Sequence, residues 1–283
     1  MKKIILTGDD FGLALPVNEA VLEAHGNGIL TCASLMVGAE FYEDAAARAR
    51  KCPSLQVGLH LTLVEGRPVL DAGQVPDLVD RNGEFSTHLV RAGFRFFFLP
   101  NIRMQLEAEI RAQFEAFAQT GLALDHVNAH NHMHLHPTIL GLLLKVGKEY
   151  GLKAVRLPNE PPLLSWNAAR RSYVPRLASS IFLAPWIAGM KRRLRQEGIR
   201  CNDFLFGMTD CGSMDVTLVT RMFRNLPPGI TEFCFHPATR RCAEIDRTMP
   251  LYRHEDEFRA LTSKTLLQEL KTAGAERVSY SEL

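Results

Sequence analysis

Four of the ten histidines in this chain stand at every second position of one short stretch, Asn128-Ala129-His130-Asn131-His132-Met133-His134-Leu135-His136. Each imidazole needs partners for two nitrogens, so four of them at a spacing of two do not pack as an ordinary core segment. Far upstream, Asp9 and Asp10 stand together in the run Thr7-Gly8-Asp9-Asp10-Phe11-Gly12, and His60 interrupts the apolar run from Val57 to Leu63. Singly these have plain readings: a turn with capping duties for the aspartates, a hydrogen-bonded core histidine for His60. Together they form a donor set of imidazole nitrogen and carboxylate oxygen without cysteine. That set suits one divalent cation, Zn²⁺, Mn²⁺, Fe²⁺ or Co²⁺, and does not exclude Mg²⁺. Two histidines and one carboxylate leave positions open for water and substrate. A metal so held lowers the pKa of bound water from about 16 to about 7 and polarises a carbonyl. Neighbouring residues face differently, so one aspartate can hold the cation while the other accepts the water's proton.

The elements that must position these residues follow from periodicity. Lys3–Thr7 is a short apolar run expected to be a buried strand that ends in a loop at 8–12. Helical spacing covers 16–25, and Gly26 stops it. A strand at 33–37, an Ala-rich helix at 40–51 and a strand at 56–63 follow. Residues 101–120 are the clearest helix, with Ile102, Leu106, Ile110, Phe114 and Phe117 on one face. Strands at 124–128, 153–157 and 230–236 and helices at 138–150 and 263–273 complete the pattern. Alternating strands and helices imply parallel βα units. At 283 residues, with no linker or repeat, the expectation is one α/β domain over 1–283, an irregular (β/α) barrel, with a doubly wound open sheet as the second choice. In a barrel the carboxyl ends of the strands share one face. Asp9 and Asp10, His60, His130 to His134, Arg156 and His236 all fall at or near such ends, so residues distant in sequence are expected to meet there.

Composition sets bounds. The formal charge is +2, which shows no basic footprint for nucleic acid, and 46% of residues are apolar, which is not a disordered composition. Six scattered cysteines form no CxxC pair, no signal-like segment opens the chain and no apolar run is long enough to span a bilayer. A reducing, cytoplasmic location with free thiols is the default expectation.

Five stretches in this order, TGDDFG (7–12), VGLHLTL (57–63), HVNAHNHMHLHP (126–137), VRLPNEP (155–161) and FHPATR (235–240), resemble the YdjC-like carbohydrate deacetylases, which include the chitooligosaccharide deacetylases. ASLMVGA (33–39), RAGFRFFFLP (91–100) and QLEAEIRAQFEAF (105–117) are most similar to the hopanoid-biosynthesis-associated branch, HpnK. The resemblance implies a barrel related to polysaccharide deacetylases, a divalent metal with Zn or Mg foremost, and removal of acetyl from an N-acetylated sugar. The implied acceptor is N-acetylglucosamine on a hopanoid lipid, or a chitooligosaccharide. It implies Asp10, His60 and His130 as metal ligands, with His134, four residues beyond His130, competing with His60, and His132 of unassigned role. Asp9 matches the general base. Arg156 would pair with Asp9 and hold it ionised. His236 would protonate the leaving amine or stabilise the oxyanion. One departure stands out: where chitooligosaccharide deacetylases of the family often carry Asp-Ser before the first histidine, this chain has Asn128-Ala129, which removes an acidic orienting group.

Residues 161–200 leave the βα pattern. LASSIFLAPWIAGM (177–190) is apolar, and KRRLR (191–195) follows at once. The expectations are a helical excursion packed on the barrel or, over 177–195, a peripheral contact with a membrane surface. Other barrel metallohydrolases (phosphoesterase, amidohydrolase) and a non-catalytic metal- or sugar-binding protein are the competing readings. A phosphoesterase commonly gathers two metals and more carboxylates, and no second obvious carboxylate cluster is present.

Overall fold

The computed structural model describes residues 2–283. The chain opens with β1 (Lys2–Phe11), whose residues are buried from Ile4 onward, as expected of a strand covered on both faces. It continues through α1 (Leu15–Gly26), β2 (Cys32–Leu35), α2 (Tyr42–Arg50) and β3 (Gln56–Leu61). After a loop come α3 (Leu89–Phe98), α4 (Pro100–Gln119), β4 (Leu124–Ala129), a 3₁₀ turn at His130–Leu135 and α5 (Pro137–Glu149). Then follow α6 (Pro162–Ala169), α7 (Tyr173–Gln196), β5 (Phe204–Phe206), α8 (Val216–Arg224) and β6 (Gly229–Phe235). The chain closes with α9 (Ala243–Thr248), α10 (His254–Leu261), α11 (Lys264–Ala273) and β7 (Ala275–Arg277).

The strands form one parallel sheet in the order β4-β3-β2-β1-β6-β5, with β7 paired to the start of β1. The expected strand at 153–157 exists only as single bridges, Val127 with Val155 and Ala154 with Arg200. Those bridges still matter. Arg156 N–H donates to Val127 at 3.1 Å, and Val155 N–H donates to Arg200 at 2.9 Å. The segment therefore bonds to β4 on one side and to the approach to β5 on the other. The sheet curls, and the irregular barrel rather than the open doubly wound sheet describes it. The largest apolar cluster runs from Ile4 to Leu270 and joins strands to covering helices.

β1 differs from its expectation in length. It extends through the aspartate pair to Phe11, with a register shift against β2 between Gly8 and Phe11 and Asp10 at φ 59°. This bulge turns Asp10 away from the regular alternation. The elements without a sequence expectation are the three-residue β5 and β7, the aromatic α3, and α8 to α10. Helix α8 did carry a start signal, because Asp215 accepts the Leu218 N–H at 2.9 Å.

The excursion consists of α6 and α7. Its positive charges are only partly free. Arg176 is buried and donates to Asp210 at 2.7 and 2.9 Å. Arg171 and Lys191 pair with Asp210 and Asp203, and Arg200 donates to the Ser281 and Leu283 carbonyls. The basic residues of 170–200 therefore present less free charge to solvent than their number in the sequence suggests. No helix among the described residues is long and apolar enough to cross a membrane.

Candidate active site

The carboxyl ends of β1, β3 and β4 bring Asp10, His60 and His130 together. Asp10 Oδ1 lies 3.2 Å from His60 Nε2 and 3.2 Å from His130 Nδ1, and the two nitrogens are 3.4 Å apart. The triangle is nearly equilateral and all three side chains are buried. Donors at about 2.0–2.1 Å from a tetrahedral cation stand about 3.3–3.4 Å from each other, so the spacing matches one face of a coordination shell. Asp10 Oδ2 is buried without a partner, an orphaned acceptor of the kind that calls for an ion. The residues present fit a divalent metal.

Each histidine is aimed by its other nitrogen. His60 Nδ1–H donates to Asn128 Oδ1 at 2.7 Å, which leaves Nε2 free for the cation. Asn128 Nδ2 donates to Asp9 Oδ1 at 3.0 Å. The asparagine that replaces the expected acidic residue therefore performs the orienting contact as a neutral amide. His130 Nε2 faces Glu65 Oε2 at 3.5 Å, and Asn131 Nδ2 donates to the same carboxylate at 2.8 Å. Burial opposes charge on His130, but Asp10 and then Glu65 outweigh it and raise its pKa to about 10. Burial likewise opposes ionisation of Asp10, and His130 and His60 reverse this and hold its carboxyl well below the usual range.

Asp9 sits behind this triangle. Its Oδ1 accepts from Ser34 Oγ at 2.6 Å, and Arg156 clasps both oxygens at 2.6 and 3.0 Å. Burial disfavours its charge, yet the Arg156 guanidinium keeps its carboxyl far below the ordinary range. Arg156 is fully buried and also donates to Glu232 at 2.8 and 3.0 Å. Thr7 Oγ1 and the Tyr280 hydroxyl each donate to Glu232 at 2.6 Å.

His236 closes the far side from the end of β6. Its backbone N–H donates to Glu257 at 2.6 Å, the Cys211 thiol lies 3.5 Å from Nδ1, and the Tyr252 ring meets it edge-on. Burial lowers its pKa, against the pull of Asp10 and Asp9. His134 stands outside the triangle. Its Nε2–H donates to the Arg156 carbonyl at 3.0 Å, and burial pushes its pKa down to about 3. His132 carries positive φ (53°), as does Asn131 (51°), and burial holds it neutral. A second grouping of metal-type side chains, Cys32, Asp125 and His126, lies at the opposite, amino-terminal ends of β2 and β4. There Asp125 already takes His126 Nδ1–H at 2.8 Å.

Sequence reasoning missed Ser34, Glu65, Glu232, Glu257 and Tyr280. Ser34 and Glu232 were visible as polar residues inside runs that must be buried, ASLM and ITEFCF, and a buried glutamate demands a cationic partner. Glu65 left no local mark, because only the fold brings it to His130.

A carbohydrate deacetylase of Brevibacillus brevis is 30% identical over 284 residues, covering 99% of each chain. A carbohydrate deacetylase of Geobacillus stearothermophilus is 30% identical over 280 residues, covering 98% of this chain and 96% of its own. Among solved structures, an Enterococcus faecalis V583 protein proposed to act in cellobiose-phosphate cleavage superposes with a TM-score of 0.77 at 22% identity, over 99% of this chain and 98% of that one. A lactam utilization protein from Thermus thermophilus shares the fold at a TM-score of 0.51 and 14% identity, over 97% and 98% of the two chains. The YdjC-like protein family matches residues 3–272, and the chain belongs to that family.

Proposed function

We propose that this chain is a metal-dependent carbohydrate deacetylase that hydrolyses the acetamide of an N-acetylated sugar, working as one catalytic unit over 1–283. The observation that carries the reading is the triangle of Asp10 Oδ1, His60 Nε2 and His130 Nδ1, with an ionised Asp9 fixed beside it. The full-length likeness to carbohydrate deacetylases supports the substrate class.

Asp10, His60 and His130 would hold one divalent cation, Zn or Mg foremost. Such an ion acidifies water to a pKa of about 7 and polarises the amide carbonyl. Asp9 takes the proton from the attacking water. Its depressed basicity makes it a poor base toward ordinary water, so its role depends on that acidification. Arg156 holds the Asp9 carboxylate in one orientation, and Ser34 and Asn128 fix Oδ1, which leaves the carboxylate no freedom to wander toward Asp10. His236, neutral in its buried setting, would offer a ring N–H to the developing oxyanion or relay to the departing amine the proton taken from the water, and Glu257 anchors its backbone. The competing ligand His134 instead supports the wall of the site through the Arg156 carbonyl.

Within this reading the acceptor is a glycolipid, N-acetylglucosamine on a hopanoid, ahead of a chitooligosaccharide. The sequence likeness to the hopanoid-associated branch supports it. So does the exposed apolar side of α7 with Arg192 and Arg195 at its end, which suits peripheral contact with a membrane through 177–195. The six unpaired thiols support a reducing compartment. The test is release of acetate from N-acetylglucosamine glycosides: chelation abolishes it and a divalent metal restores it. Acetate release that survives exhaustive chelation removes the metal from the mechanism.

A further inference from the structure

A groove of about 570 Å³ runs between α3 and α7, and its inner end is the loop that carries the histidines. Phe94 and Phe97 of α3 form one wall, Phe182 and Trp186 of α7 the other, and His132 and Met133 the floor. Phe94, Phe98 and Phe182 are 62%, 65% and 72% exposed. Contiguous aromatic exposure of this kind marks a binding surface rather than ordinary scatter. The volume lies within the range of small-molecule pockets, about 300–1,000 Å³. Two left-handed residues, Asn131 and His132, turn the chain there. Consequently the residue between two site histidines becomes groove lining, while Asn131 reaches back to the carboxylate that faces His130.

We propose that this groove is the subsite for an apolar aglycone, the lipid part of an amphiphilic N-acetylated glycoside whose sugar amide lies at the Asp10–His60–His130 triangle. The inference rests on the deacetylase reading. A bilayer is broad and covers a protruding face, whereas this feature is concave and its lining includes Asn131 and His132, the residues that follow His130 in the chain. A sugar chain can stack on aromatic rings but also needs polar partners for its hydroxyls, and the Phe94, Phe97, Phe182 and Trp186 walls offer only the indole N–H. The lining therefore favours an apolar occupant, joined to the group that reaches the triangle.

The experiment is a ladder of N-acetylglucosamine alkyl glycosides from ethyl to octyl, each below its critical micelle concentration, with kcat/KM for acetate release as the readout. Each methylene buried in a groove contributes about two- to fourfold, so the wild type should climb by that step until the groove is full. Phe182→Ser removes a wall, and Gly93→Phe fills the groove; Gly93 faces His136, where an added Cβ has ordinary contact at 3.8 Å. Either variant should flatten the ladder to within about threefold from ethyl to octyl, a ratio that a general loss of folding would not change. A flat wild-type ladder, or variants that keep the climb, would overturn the subsite. A climb that appears only with phosphatidylcholine vesicles present would assign the apolar contact to a bilayer and overturn it equally. Trp186 emission in a Trp166→Phe background, titrated with octyl glycoside, reads occupancy without turnover. If no glycoside yields acetate while Trp186 shifts and saturates, the groove stands and the deacetylase reading falls.

Discussion

Asp9 and Asp10 are adjacent and chemically identical, yet their surroundings differ and divide the roles proposed for them. Asp10 faces two imidazoles and keeps one orphaned oxygen, while Asp9 is saturated by Arg156, Ser34 and Asn128. The bulge at the end of β1 makes the division, because it points two consecutive side chains into one site by different routes. Asp9→Asn should therefore bind metal as the wild type does, since Asp9 hydrogen-bonds to none of the three proposed ligands: it touches His60 through Ser34 and Asn128 and otherwise faces only the Nδ1 side of the ring, at 4.0 Å. Turnover should fall by about 10²–10⁴-fold, the usual contribution of a positioned base. Metal content by atomic absorption together with kcat checks this; full activity would remove Asp9 from proton transfer. Motif spacing exposes the aspartates and the histidine run because such residues are rare in buried strands. It does not expose Glu65, an ordinary loop glutamate with positive φ (52°), whose meaning comes only from its distance to His130.

At the scale of elements, the site depends on close registry between β3 and β4, which pairs His60 with Asn128. Gly58 permits that closeness. A Cβ there would meet the His126 ring and backbone oxygen at 2.6 Å, so β4 cannot approach a larger residue. Gly58→Ala should cost about 1–3 kcal/mol by overpacking and should also weaken metal affinity, because it parts the strands that carry two of the three proposed ligands. Thermal unfolding with and without metal separates the two effects; an unchanged melting temperature would show that the strands can yield. Most long helices and buried strands are legible, since periods of 3.6 and runs of β-branched residues survive in the sequence. The 153–157 segment has the composition of a strand, but Arg156 uses the interior to clasp two carboxylates, and only isolated bridges form. Helix α3 has no sequence expectation, because consecutive phenylalanines suit a strand as well as they suit a helix.

Across the whole molecule, buried charge ties the curled sheet together and links its stability to pH. Glu257 of α10 accepts the Met214 and His236 N–H groups in full burial, and burial raises its pKa from 4.5 to about 7. The folded state thus holds this proton more tightly than the unfolded chain. Its contribution is complete below about pH 4.5 and is lost as pH rises to about 7, a loss of about 3 kcal/mol. Glu257→Gln lacks that slope. Urea denaturation of the metal-free protein at pH 4.5 and 7.5 should show the variant gaining on the wild type by that amount; a constant difference would mean that Glu257 is ionised throughout.

The sequence by itself determined the donor set, the order of βα units and the strand ends on which the chemistry falls, because residue type and periodicity are local properties. Only the tertiary structure decided which imidazoles meet Asp10, that His134 turns to a carbonyl instead, that a neutral Asn128 aims His60, and that α3 and α7 enclose an apolar groove beside the triangle. Those outcomes depend on distances of a few ångströms between residues up to about 120 positions apart, and chain closure, which no local pattern encodes, sets such distances.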